Sequence, residues 1–210
     1  MFIGHYAVGF ALKKKSSDVP LWLLFVSVQF VDILAFSSIL LGIEKITYNP
    51  SSNPFLRTIL EYVPYSHSLS ANALLSLLVF IIFSKFKNRE WGIALSIGVF
   101  SHWFIDTLVH AGDMPLFHDS LKVGFGLWYF PWAAFILELF VLLLAAYYLL
   151  RNYKTKKRHI ILIILLSLGF SSMFFAPEAE ASPETASVVS LSLYAFFAAL
   201  AYWSEREVRK

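Results

Sequence analysis

WGIALSIGVFSHWFIDTLVHA, residues 91–111, has the length and apolar character of a bilayer crossing, yet it carries two histidines and an aspartate. A hydrocarbon core about 30 Å thick takes roughly 20 helical residues to span. Ionisable side chains at that depth are expensive and are kept for a purpose. At about 100° per residue, Asp106 falls roughly 40° from His102 on the helical wheel, His110 roughly 80° and the following Asp113 roughly 20°. The four share one stripe, suited to the wall of a polar cavity. His102-x-x-x-Asp106 sets an imidazole and a carboxylate on adjacent turns, aimed at one point, as a divalent ion requires. The spacing alone reads equally well as a hydrogen-bonding pair between helices. The cost of a bare carboxylate in an apolar span is what favours the cation.

Composition agrees with a membrane setting. Of 210 residues, 58% are hydrophobic and only 15% charged, against about 25% charged in soluble domains. Mean hydropathy is +0.66. Cysteine is absent, which excludes a disulfide framework and thiolate ligands. Any metal must therefore use His, Asp, Glu or backbone oxygen. The N-terminus does not read as a secretory signal, because apolar Met1–Leu12 precedes Lys13, Lys14 and Lys15.

Further apolar stretches run over 19–41, 66–84, 127–150 and 185–203, with a shorter one at 160–175. With 91–111 they predict an all-α, polytopic membrane bundle of about six embedded helices plus a short N-terminal half-helix. Asp18 and Pro20 suit a helix start, Ser66 a cap on the second span, and Gly42 a helix end; Gly112 and Pro115 stop the third span. Alternating sides from Lys13–Lys15 leaves only Lys45, Arg57 and Lys122, of 17 basic residues, on the opposite face. The positive-inside rule then puts both termini near the cytoplasmic side of an integral membrane protein. The outward loops are 43–65, with turn signals at Asn49-Pro50, Asn53-Pro54 and Pro64, the loop 112–126, and the acidic 176–184. The basic run 151–158 reads as topology and headgroup contact, so the expected partners are membrane lipids and not nucleic acid. His159, in that run, reads as solvated, and Trp91, Trp128 and Trp132 as interfacial belt residues. Residues 1–127 carry the candidate site and 128–210 the last three spans, within one membrane domain. No internal repeat supports an inverted-repeat transporter.

The other embedded candidates are His5, Asp32, His67 and Glu138. A half-span is tolerated only against protein or a polar cavity, so Gly4 and His5 are expected to face the bundle interior. His67 lies at the start of the second span, where the helix N-terminus disfavours an imidazolium and keeps the ring able to bind metal. Counting rise per residue, Asp32 matches the depth of His102 and Asp106, while His67 sits several ångström too high unless its helix starts deep or tilts. Asp32 is a ligand or the base that takes a proton from a metal-activated water. Glu138 reads as structural, paired with an embedded His or with Gln29. His110 and Asp113 stand as secondary site candidates or as ordinary polar residues of the outward loop, as do His118 and Asp119.

Taken in order, Gly4-His5, Asp32, Tyr65-Ser66-His67-Ser68-Leu69, Ser101-His102-x-x-x-Asp106 and Ala111-Gly112-Asp113-Met114-Pro115-Leu116 resemble the YdjM-like family of bacterial membrane-bound metal-dependent hydrolases. The resemblance covers roughly residues 1–120. That family is in turn similar to the helical zinc-dependent phospholipase C group. The resemblance implies that His67, His102 and Asp106 hold a zinc ion, that His5 belongs to a neighbouring metal position, and that Asp32 is ligand or general base. The chain departs from the family in having Phe-Val-Asp-Ile-Leu around Asp32 and Val-Pro-Tyr before Ser-His-Ser. With fewer ligands, one divalent metal, or two at most, is expected rather than three. The expected function is hydrolysis of a phosphoester such as a lipid headgroup, in a bacterial cytoplasmic membrane. The competing readings are a transporter or ion carrier using the same His and Asp residues, and a non-catalytic membrane scaffold.

Overall fold

Each long apolar stretch forms a helix, because backbone amides at bilayer depth must find partners within the chain. The computed structural model describes residues 2–48, 53–151, 157–177 and 182–206. Asn49-Pro50, the basic Lys154, Lys156, Arg209 and Lys210, and the middle of the acidic loop lie outside the described residues. The helices are α1 (Gly4–Lys15), α2 (Leu21–Val28), α3 (Phe30–Leu40), α4 (Leu69–Phe86), α5 (Arg89–Val109), α6 (Pro131–Leu150), α7 (Lys157–Phe174) and α8 (Pro183–Glu205). Five of them, α4 to α8, are long and apolar enough to cross a membrane, and α2 and α3 taken together, bent by 56° between them, are long and apolar enough for a sixth. This is the helical membrane architecture expected from the sequence.

The first crossing was expected to be continuous and is not. It breaks at Gln29, which is buried and leaves the helical backbone conformation at φ −103°, ψ 5°. At the break the Val28 carbonyl accepts a hydrogen bond from His102 Nδ1, at 2.8 Å. Non-helical backbone at this depth persists because protein covers it.

The outward loops also hold more structure than turn signals alone implied. β1 (Lys45–Tyr48) pairs antiparallel with β2 (Thr58–Tyr62), and β3 (Met114–Phe117) with β4 (Ser120–Val123). Ile46, Leu60 and Met114 pack with Ile39, Val63 and Trp103 into a small apolar core. That core seats the first hairpin on the bundle.

The half-helix α1 lies at the centre of the molecule. Ile3, Tyr6 and Phe10 are buried against Phe25, Leu142, Leu166 and Phe197, and Gly4 and His5 face inward as expected. A helix N-terminus buried this way needs acceptors for its free amides. Glu138 supplies one: its Oε2 accepts from the Ile3 amide at 3.0 Å. The partners shown for Glu138 are thus the Ile3 amide and, at 3.5 Å, Trp128 Nε1, rather than a histidine or Gln29. At the other end, Lys13 Nζ sits 2.7 Å from Glu205 and donates to the Ser17 and Val19 carbonyls. Glu205 also accepts from the Leu21 amide at 2.8 Å, so the start of α2 is capped from α8 and not by Asp18.

Ser68, not Ser66, caps α4, accepting from the Ala71 amide at 3.1 Å. Gly42, at φ +70°, ends the first crossing as its sequence position implied. His159 is 1% exposed rather than solvated, because α7 begins there and turns the ring inward. Trp132 is exposed like a belt residue, but Trp128 is not one: it lies 4.4 Å from the His110 ring and stacks on Phe55.

Candidate metal centre

Four ionisable groups from three crossings converge. Asp32 on α3, His67 just before α4, and His102 and Asp106 on α5 each offer a ligand atom within 4.8 Å of the others. His67 Nε2 is 3.3 Å from Asp32 Oδ1 and 3.9 Å from Asp106 Oδ2. His102 Nε2 is 3.5 Å from Asp32 Oδ1 and 3.0 Å from Asp106 Oδ2. With no pair of these atoms more than 4.8 Å apart, all four can reach one metal ion.

The hydrogen bonds around the cluster turn its lone pairs inward. His102 Nδ1 must donate, since its partner is the Val28 carbonyl. In the neutral ring its Nε2 then presents a lone pair, 3.0 Å from Asp106 Oδ2 and 3.5 Å from Asp32 Oδ1. For His67 the same result comes through a relay. Glu44 is 1% exposed and accepts from the Tyr65 and Ser66 amides, each at 2.9 Å. Ser66 Oγ donates to Glu44 Oε2 at 2.8 Å, so it accepts from His67 Nδ1 at 2.9 Å. His67 Nε2 therefore also points a lone pair at the centre. Two imidazole lone pairs and two carboxylates face one another with no donor among them. A proton on each ring, or one divalent cation, would neutralise the two carboxylates, and the cation does so at a single point.

The relay settles the depth of His67. Glu44 holds Tyr65 and Ser66, α4 begins only at Leu69, and the His67 ring comes within 3.9 Å of Asp106. No motif marks Glu44; its one signal is a lone acid two residues past the helix-ending Gly42.

His5 stands beside the four rather than among them. Its Nε2 donates to Asp106 Oδ1 at 3.0 Å, and its ring stacks on His102 with centroids 3.9 Å apart. Its Nδ1 has no hydrogen-bond partner among the described residues. His5 thus holds the far oxygen of Asp106 and leaves Oδ2 to the cluster. Gly98, one turn before His102, brings α5 close: a Cβ there would collide with Ser27 Oγ on α2.

Above the cluster lies a cavity of about 190 Å³, whose floor includes Asp32, His67 and Asp106. Its walls are mostly apolar, with Phe36, Ile39, Phe55 and Met173 among them, and the first hairpin contributes Ile46 and Leu60. Asp32 is the corner nearest this space: its side chain is 19% exposed, against 4% for His67 and Asp106 and 0% for His102. His110 also lines the cavity, and Asp113 stands behind it. The continuous stripe ends there, because α5 stops at Val109. His110 Nδ1 pairs with Asp113 Oδ1 at 2.9 Å, and its Nε2 is 4.0 Å from Asp106 Oδ2. Burial pushes the Asp113 carboxyl up, but the His110 hydrogen bond and charge and the Leu60 amide outweigh it and hold it below the ordinary range. His118 and Asp119 stay in the second hairpin, away from the cluster: the His118 ring packs near Tyr62 and Tyr65, and Asp119 pairs with Lys122.

One contact to the cluster comes from the far end of the chain. Tyr194, on α8, donates its hydroxyl to Asp32 Oδ2 at 2.9 Å. A tyrosine in an apolar span resembles an interfacial anchor, so its sequence context carried no signal of this contact.

Compared with family models, curated proteins and solved structures, the chain matches none.

Proposed function

We propose that the protein is a membrane-embedded, metal-dependent hydrolase of a phosphoester, with a lipid headgroup as substrate and zinc as the ion. One observation carries the reading: two imidazole lone pairs and two carboxylates, from three separate crossings, aim at one point beneath a cavity. His67, His102 and Asp106 would hold the ion, with Asp32 as the corner on the cavity side. When bound, the ion would supply the positive charge that lets a water lose its proton near neutral pH. Asp32, the most exposed of the four, would border the ion on the cavity side through Oδ1, and would orient a water arriving there and accept its proton. Glu44, Ser66 and the Val28 carbonyl hold the two imidazoles in the tautomer that leaves Nε2 unprotonated. The apolar walls suit the tail of an amphiphile, which supports a lipid over a soluble phosphoester.

The orientation belongs to the same proposal. Lys13–Lys15, Lys85, Lys87, Arg89, Arg151, Lys157 and Arg158 lie at the end of the bundle opposite the hairpins, which supports a cytoplasmic location for that end. The cavity then opens on the outer side of a bacterial cytoplasmic membrane.

The test is elemental analysis of the purified protein, followed by hydrolysis of a phosphodiester lipid in detergent micelles with and without chelator. Stoichiometric zinc and chelator-sensitive turnover are expected. Metal-dependent flux across sealed liposomes with no hydrolysis in micelles would instead make the protein a carrier. Absence of stoichiometric metal would remove the centre itself.

A further inference from the structure

We infer that Tyr194 is a positioning residue of the metal centre and acts through Asp32. This rests on the metal-centre reading above and adds a residue from the last helix to it. The Tyr194 hydroxyl donates to Asp32 Oδ2 at 2.9 Å. The other oxygen, Oδ1, is the one that faces His67 and His102, at 3.3 and 3.5 Å. Holding one carboxylate oxygen decides where the second points, which is how outer partners orient metal ligands.

Asp32 needs such a hold more than the other three corners. Asp106 is gripped by His5, His102 by Val28 and His67 by Ser66. Asp32 is the most exposed corner, and it sits on a short helix that begins just after the break at Gln29, so α2 does not set its direction. Tyr194 donates to Oδ2, the oxygen that the two histidines do not face.

Tyr194 is itself well placed for the task. It is 7% exposed, whereas Val188 and Val189 on the same helix are 53% and 52% exposed. Its ring packs against Phe36, one turn beyond Asp32, with centroids 6.2 Å apart. The hydroxyls of Ser187 and Ser192, also on α8, bond back to the Pro183 and Val188 carbonyls of their own helix. The phenol reaches out of the helix to the carboxylate. The last crossing therefore completes a site whose ligands all lie between residues 32 and 106.

The test is zinc affinity of the full-length protein in detergent micelles, measured by competition with a chromophoric chelator. Wild type, Tyr194→Phe, Asp32→Asn and the double variant are compared. Tyr194→Phe keeps the ring and its packing, and is expected to weaken zinc binding by about 10–100-fold. The double variant is expected to bind no more weakly than Asp32→Asn alone, because the hydroxyl acts only through that carboxylate. A tyrosine that merely packs would lower the melting temperature and leave zinc affinity at the wild-type value, and that result overturns the inference. So does a double variant that loses the product of the two single effects. Should Asp32→Asn fail to fold, cobalt-loaded wild type and Tyr194→Phe are compared instead: a shifted visible band supports the role, and an identical band overturns it. Wild type that binds no zinc sinks the metal centre and this inference together; wild type that binds while Tyr194→Phe binds equally sinks only the inference.

Discussion

His102 Nδ1 donates to the Val28 carbonyl across 2.8 Å, and this one contact joins the break in the first crossing to the cluster-facing side of the third. A continuous helix would keep that carbonyl in its own ladder. Where the backbone departs at Gln29, the carbonyl fixes the histidine's tautomer and turns its Nε2 lone pair to the centre.

Removing either arm of the α5 pair should empty the site. His102→Ala and Asp106→Ala are each expected to lower zinc content from about one per chain to near none. Elemental analysis of purified variants measures it, with circular dichroism to show that the helices persist. Unchanged zinc in both would show that the ion, if any, lies elsewhere.

The Glu44–Ser66–His67 relay should matter without any of its outer members touching the ion. Ser66→Ala removes the acceptor for His67 Nδ1, and Glu44→Gln weakens the charge behind it. Each is expected to reduce zinc affinity by about 10–100-fold, measured by chelator competition. Ser66→Thr keeps the hydroxyl and should restore most of the loss.

Gly98 is a packing position with a functional consequence. A side chain there meets Ser27 on α2, so Gly98→Ala should push the two helices apart and stretch the His102–Val28 bond. Overpacking of this kind costs about 1–3 kcal/mol. A lower melting temperature and weaker zinc binding should appear together, and pairing the change with Ser27→Gly should recover both.

The Asp113 carboxylate predicts an acid-side effect. In the folded protein Asp113 is held below its ordinary range, so its ionised form contributes stability that is complete above about pH 4, the unfolded value. That stability is lost as pH falls through the lower folded value. Melting temperatures of wild type should therefore fall more steeply below about pH 4 than those of Asp113→Asn. Parallel curves would show that Asp113 is not coupled to folding.

At the opposite end of the bundle, the Lys13–Glu205 pair at 2.7 Å is almost fully buried. Breaking one side of a buried pair costs about 3–5 kcal/mol. Glu205→Ala also orphans the Leu21 amide, so it should destabilise more than Lys13→Met, which keeps the apolar stem. Thermal melts of the two variants give the comparison.

Much of this molecule was legible from its letters. Apolar runs of the right length, cut by Gly42 and Gly112 and flanked by Lys and Arg, marked the crossings, because a bilayer imposes length and polarity on each segment independently. His102 and Asp106 stood out because a charge in such a run is costly wherever the run ends up. Asp32 and the inward face of His5 followed from the same cost and from the short length of α1.

The partners of those groups were not legible in the same way. Glu44 precedes His67 by a long loop, Val28 offers only a backbone carbonyl, and Tyr194 lies on the last helix in a run of ordinary apolar letters. Each acts across contacts between segments far apart in the chain. Segment polarity is a local property, so the sequence alone marked His102, Asp106 and Asp32 as costly groups within apolar runs, though not His159 or Glu44, which the packing buries. Which lone pairs meet depends on a helix break, the loop before α4 and one glycine-sized approach between α2 and α5, and those are settled only when the crossings pack against one another.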